Sequence, residues 1–88
     1  MNPDALKQAL RTYICTELLN NPKLQLGDDV RLVADGYLDS FALTQISNFV
    51  EQQYQIVVDM AELADLADNG RDTLAEIVGL VLAKAGRA

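Results

Sequence analysis

The chain has 88 residues, 13 of them acidic and 7 basic, for a formal net charge of -6, and it contains neither histidine nor tryptophan. That length suits one domain, residues 1–88, which buries only about 60–65% of its unfolded surface and leaves little room for an enclosed active site. Without histidine there is no Ser-His-Asp arrangement and no imidazole metal ligand, and the acidic balance argues against nucleic acid as a partner.

Half the residues are hydrophobic, which places the chain among globular rather than disordered sequences. Its single cysteine cannot form an internal disulfide, which fits a reducing compartment. The polar start Met1-Asn2-Pro3-Asp4 is unlike a signal peptide. The longest apolar stretch, Ile77 to Ala83, falls far short of the ~20 residues needed to span a bilayer. A cytoplasmic protein with no membrane span is expected.

The first predicted element is a helix over residues 3–19. Asn2 is a suitable N-cap, and Pro3 occupies the first helical position, where its missing N–H is harmless. Leu6, Leu10, Tyr13, Ile14 and Leu18 recur at spacings of three and four, which is one helical face. Asn20-Asn21-Pro22 stops it. Residues 20–39 contain no helix or strand pattern, yet Leu24, Leu26, Val30, Leu32, Val33 and Leu38 are too many apolar residues for a solvated linker. The segment is therefore expected to be an ordered loop, pinned over the helices by those side chains. Gly27-Asp28-Asp29 and Asp35-Gly36 supply its turns.

A second helix is predicted from Asp39 or Ser40 to about Gln53, with Asp39 as N-cap. Leu43, Ile46, Phe49, Val50 and Tyr54 form its buried stripe. Thr44, Gln45, Ser47, Asn48, Gln52 and Gln53 form a polar, almost uncharged opposite face. Ile56-Val57-Val58 is β-branched but has no partner strand. Asp59-x-x-Glu62 has capping-box spacing and opens a short helix over residues 60–67, closed by Asp68-Asn69-Gly70. Thr73-x-x-Glu76 opens a last helix to about Lys84, with Leu74, Ile77, Val78, Val81 and Leu82 facing the core. The expected fold is all-α: a four-helix bundle of three longer helices and one short one, with a long ordered loop between the first two.

The loop carboxylates Asp28, Asp29, Asp35 and Asp39 invite a calcium reading. An EF-hand register with Asp35-Gly36 at its fifth and sixth positions would place Val33 and Arg31 where oxygen ligands are needed, so the template fails. No metal site is expected. Cys15 lies one step from the apolar stripe and reads as a small core residue, with nothing nearby in sequence to activate it. Ser40 stands at the junction of an ordered loop and a helix N-terminus. It has two readings from the residues alone: part of a plain Asp-Ser cap, or a modified serine whose phosphate ester the helix N-terminus would favour. A catalytic serine lacks a histidine base.

The run Gly36-x-Leu38-Asp39-Ser40-Phe41 resembles the Asp-Ser-Leu signature of acyl carrier proteins, in its Leu-Asp-Ser-Phe form. The resemblance extends over nearly the whole chain in element order, and Glu51-Gln52-Gln53-Tyr54-Gln55-Ile56 resembles the family's acidic-aromatic-x-Ile stretch. It implies that Ser40 is esterified with 4′-phosphopantetheine from coenzyme A by a phosphopantetheinyl transferase. Acyl or aminoacyl groups then ride as thioesters on the arm's thiol. By the same resemblance Asp39 assists the transferase and Phe41 flanks the arm. Leu38, Thr44, Gln45, Asn48, Glu51, Met60 and Glu62 contribute to a partner surface, and no residue of the chain is catalytic.

The implied partners are the transferase, an acyl- or aminoacyl-loading ligase or transferase, and downstream biosynthetic enzymes, with the carrier itself a monomer. Fatty-acid-synthesis carriers bear several acids along the serine helix, whereas here only Glu51 is charged among residues 41–55. That departure points to a dedicated carrier in a specialised pathway. Docking would then lean on Phe41, on hydrogen bonds, and on Asp59, Glu62, Asp65 and Asp68. Leu43, Ile46, Phe49, Met60, Leu63 and Leu74 are candidate walls of a cargo pocket, and each is equally accounted for as ordinary core. The alternative function is an unmodified helical protein–protein interaction module, and the third a small hydrolase using Ser40.

Overall fold

The computed structural model describes residues 2–86, and every regular element among them is helical. Helix α1 spans Pro3–Tyr13 and runs on through a π-helical turn, Ile14–Leu18; α2 spans Ser40–Tyr54, α3 Met60–Asp68 and α4 Leu74–Ala85. Each start is capped by the residue that the sequence offers. Asn2 Oδ1 accepts from the Asp4 and Ala5 amides at 2.9 and 3.2 Å. Thr73 Oγ1 accepts from the Glu76 amide at 3.2 Å. At α3, Glu62 Oε1 reaches back to the Asp59 amide at 3.3 Å, so these orphan donors are satisfied.

The ends of the first three helices rely on left-handed residues. Asn20 and Gln55 have φ of 51° and 55°, just beyond the first and second helices. At the end of α3, the Arg71 amide bonds the Leu66 carbonyl at 2.7 Å and the Gly70 amide bonds Ala67 at 3.2 Å. With Gly70 at φ 71°, this is a Schellman closure. The π-helical turn is a departure from the sequence reading, which extends an ordinary helix to residue 19. There the Leu19 amide bonds the Ile14 carbonyl at 2.9 Å, one residue wider than α-helical spacing.

α1 packs against α4, α2 against α3, and α3 against α4. One continuous core joins Leu6, Leu10 and Ile14 of the first helix to Leu43, Ile46 and Val50 of α2, Leu63 of α3, and Leu74, Ile77 and Val81 of α4. Tyr13 and Phe49 stack across α1 and α2 with ring centroids 4.2 Å apart, and Tyr54 meets Phe49 edge-on at 6.4 Å. A stacked pair of this kind contributes about 0.5–1.5 kcal/mol beyond its buried area. Ile56-Val57-Val58 forms no strand; Val58 is buried, and its carbonyl accepts the Ser47 hydroxyl, which ties α3's approach to α2.

The loop of residues 20–39 is ordered as expected. Leu26, Leu32 and Leu38 are buried, and Leu24, Val30 and Val33 pack against the same core. Two carboxylates fasten it. Asp28 accepts from Lys7 at 3.0 Å and from Arg11, both on α1, while its carbonyl accepts the Ala75 amide of α4 at 3.1 Å. Asp72, between α3 and α4, holds the second half of the loop.

Candidate functional site

Ser40 is the first residue of α2 and is exposed. Its hydroxyl is engaged by no hydrogen bond among the described residues. Asp39 precedes it in extended conformation, and its Oδ1 accepts from the Ala42 amide at 2.9 Å, while its carbonyl accepts from Leu43 at 3.4 Å. One carboxylate oxygen thus fixes the helix start and the other stays available. The amides of Ser40 and Phe41 have no intrahelical acceptor, as in the first turn of any helix. An anionic ester on the Ser40 oxygen would sit beside them and the positive end of the α2 dipole.

What places the serine is the loop before it. The Leu38 side chain is 7% exposed and lies in the core; its amide donates to the Leu32 carbonyl at 2.8 Å, and the Leu32 amide donates to the Asp72 carbonyl at 2.7 Å. Asp72 is 2% exposed. Its Oδ2 accepts from the Val33 and Ala34 amides, both at 2.9 Å, and its Oδ1 from Arg31 Nε at 3.1 Å. Burial pushes this carboxyl up, but the Ala34 amide, Arg31 and the other hydrogen bonds outweigh it, so it lies below the ordinary carboxylate value. Gly36, at φ 86°, makes the reversal between Val33 and Leu38 that a residue with a Cβ would strain.

Around Ser40 the exposed surface combines aromatic rings with the Asp39 carboxylate. Phe41 is 69% exposed, and Tyr37 is also exposed. Thr44, Gln45, Asn48 and Glu51 follow Phe41 along α2, with Asn48 and Glu51 exposed and Thr44 and Gln45 half-buried. Met60 is exposed at the start of α3. Two of the expected partner residues, Leu38 and Glu62, also have contacts within the fold. Leu38 packs inward, because the loop needs an apolar anchor immediately before the helix. Glu62 is half-buried, caps α3 and pairs with Lys84 of α4 at 2.7 Å.

Of the expected cargo walls, Leu43, Ile46, Leu63 and Leu74 are fully buried against one another's helices, Phe49 is half-buried in the aromatic stack, and Met60 faces solvent. A surface cleft of about 440 Å³ lies instead between α3 and α4, lined by Ala61, Glu62, Asp65, Leu66, Arg71 and Leu80.

Cys15 is buried in the π-helical turn, its Sγ 3.7 Å from the Leu24 carbonyl. Burial pushes its thiol up, against a smaller downward pull from Arg11. Arg11 is thus the neighbour that the sequence reading of this cysteine lacks. No group of His, Cys, Asp or Glu suited to a metal ion exists among the described residues, and no helix among them is long and apolar enough to cross a membrane. The residue that the sequence reading omits is Asp72. Its only signal is a carboxylate directly before the Thr73 cap, and nothing in the local pattern tells that its partners lie in the loop. No protein-family model, curated protein or solved structure matches this chain.

Proposed function

We propose that the chain is an acyl carrier protein, carrying acyl or aminoacyl groups as thioesters on a 4′-phosphopantetheine arm attached to Ser40. The observation that carries this reading is a solvent-facing, unengaged serine hydroxyl at the first position of α2. An ordered loop with a buried leucine anchor presents it, within four helices in the carrier order. The site fits the arm: the hydroxyl is accessible for a phosphodiester bond, and the first-turn amides and dipole end favour its negative charge. The arm supplies the thiol on which cargo is carried.

The chain's own residues hold and present that attachment point. Asp39 caps α2 through Oδ1 and keeps its second carboxylate oxygen for the phosphopantetheinyl transferase. Phe41 provides an apolar contact beside the serine, and Thr44, Gln45, Asn48 and Glu51 continue a largely neutral face along α2. Because that face bears little charge, its partners are recognised by apolar and hydrogen-bonding contacts more than by long-range attraction. This favours a dedicated loading enzyme in a specialised biosynthetic pathway over general fatty-acid synthesis.

Incubation with coenzyme A and a broad-specificity phosphopantetheinyl transferase, followed by intact-protein mass spectrometry, tests the proposal. The expected result is the gain of one phosphopantetheine unit, abolished by Ser40→Ala. No gain, or a gain that survives the substitution, overturns it and leaves the neutral face of α2 as that of an unmodified interaction module. Labelling of Ser40 by a serine-reactive phosphonate in the absence of cofactor would instead favour a hydrolase.

A further inference from the structure

We infer that Asp72 is the positioning residue for Ser40, an inference that rests on the carrier reading of that serine. Asp72 is the one buried polar or charged residue among those described. A buried carboxylate is costly unless its oxygens are filled, and here three donors fill them: the Val33 amide, the Ala34 amide and Arg31 Nε. All three come from the loop, and none from the helices that Asp72 joins. The charge therefore organises a segment distant in sequence rather than its own neighbourhood.

The path from Asp72 to the serine is short and continuous. Its carbonyl takes the Leu32 amide, the Leu32 carbonyl takes the Leu38 amide, and Asp39 and Ser40 follow. Within the turn, the Asp35 amide bonds the Arg31 carbonyl at 2.8 Å, and the Arg31 amide returns to Asp35 Oδ2 at 3.2 Å. The Gly36 amide bonds Val33 at 3.0 Å. On the other side, Asp72 is set between the Schellman closure of α3 and the Thr73 cap of α4. The junction of α3 and α4 is thus the fixed base on which the serine's loop is mounted.

A merely stabilising residue and a positioning residue differ in what their loss opens. Asp72→Asn keeps the shape but turns one donor-facing oxygen into an N–H group. Native-state amide hydrogen exchange on the unmodified protein is the primary readout. In D72N the Leu38 and Ala42 amides should lose at least tenfold more protection than the Leu10 and Val81 amides, which report any global loss of stability. Uniform loss across all four, or no change at Leu38 and Ala42, overturns the inference.

The second readout is the rate of phosphopantetheine transfer to Ser40, compared with Val81→Ala, a core variant away from the loop. D72N should lower kcat/KM about tenfold with most of the effect in KM, and V81A should leave it within twofold. Equal slowing in the two variants overturns the inference. If the wild-type chain accepts no phosphopantetheine, the carrier reading fails, and the exchange pattern still decides whether Asp72 positions Ser40. Should D72N not fold, Arg31→Gln removes one donor from a half-exposed side chain. It should give the same selective pattern at about threefold amplitude, and its absence overturns the inference.

Discussion

Val33 and Asp72 lie 39 residues apart and are joined by a 2.9 Å hydrogen bond from the Val33 amide to Oδ2. This bond and its neighbours convert a long connection into a rigid support for the start of α2. They also make the fold sensitive to acid. Asp72 and Asp28 both lie below the ordinary carboxylate value, Asp28 chiefly through its hydrogen bond from Lys7.

A carboxyl depressed on folding stabilises the native state above its unfolded pKa, about 3.9, and that contribution disappears as pH falls through the folded value. Thermal melts followed by far-UV circular dichroism should therefore show a flat Tm from pH 7 to about 5 and a fall below about pH 4. D72N should have a lower Tm at neutral pH and a shallower acid fall. Parallel wild-type and variant profiles would exclude Asp72 as a source of the acid limb.

Asp39 is expected to be worth about 1 kcal/mol as a cap, because Asp39→Ala leaves the Ala42 amide without its acceptor. Chemical denaturation should report that loss at unchanged m-value, and Asp39→Asn should recover most of it. If the alanine variant is as stable as wild type, the carboxylate is not holding the helix start.

The Cys15 thiol should be inert in the folded protein, since burial raises it and encloses its Sγ. Titration with a disulfide reagent should find no reactive thiol in the native unmodified chain and one after denaturation. On the proposed function, the native modified form then shows one, contributed by the arm. A fast-reacting thiol in the unmodified native chain would contradict the buried placement.

The exposed ring of Phe41 next to Ser40 predicts that Phe41→Ala raises the KM of a cognate loading enzyme about tenfold with kcat little changed, as expected when an anchor residue is truncated. The neutral face behind it predicts weak salt dependence. Raising ionic strength from about 0.05 to 0.5 M should change kcat/KM by no more than about threefold. A steep fall with salt would show that acids elsewhere, such as Asp59 and Asp65, dominate docking.

The Tyr13–Phe49 stack should matter through its rings and not through the tyrosine hydroxyl, whose bond to the Gln45 carbonyl is long at 3.4 Å. Tyr13→Phe is expected to cost less than about 0.5 kcal/mol. Phe49→Ala should cost about 2 kcal/mol, somewhat less than for a fully buried ring. Equal losses in the two variants would assign the contact to the hydroxyl.

Most of the helical architecture is legible in one dimension because caps and periodicity are local. Asn2, Asp39 and Thr73 cap the helices that their positions predict, and Gly70 closes α3 where turn chemistry places it. Ser40 is legible for the same reason, as a residue at a loop–helix boundary in a recognisable run. The π-helical turn at Ile14–Leu18 is not, since a one-residue change of hydrogen-bond spacing leaves no mark on apolar periodicity. The burial of Leu38 and the pairing of Glu62 with Lys84 are not legible either, since the sequence cannot tell which side of a backbone faces the core.

By itself, the sequence determined that the chain is helical, that it lacks histidine, and that a serine stands at the head of its second helix. Local hydrogen bonding and the spacing of apolar residues suffice for that. The tertiary structure alone decided how the serine is held. Asp72 meets Val33, Ala34 and Arg31 only after α3 and α4 pack, and Asp28 meets Lys7 and Arg11 only after the loop crosses α1. The same packing refines the meaning of the net charge of -6. Asp28, Glu62 and Asp72 are paired with Lys7, Arg11, Lys84 and Arg31, so most of the basic side chains are engaged internally and the acidity that a partner meets is no smaller than composition suggests.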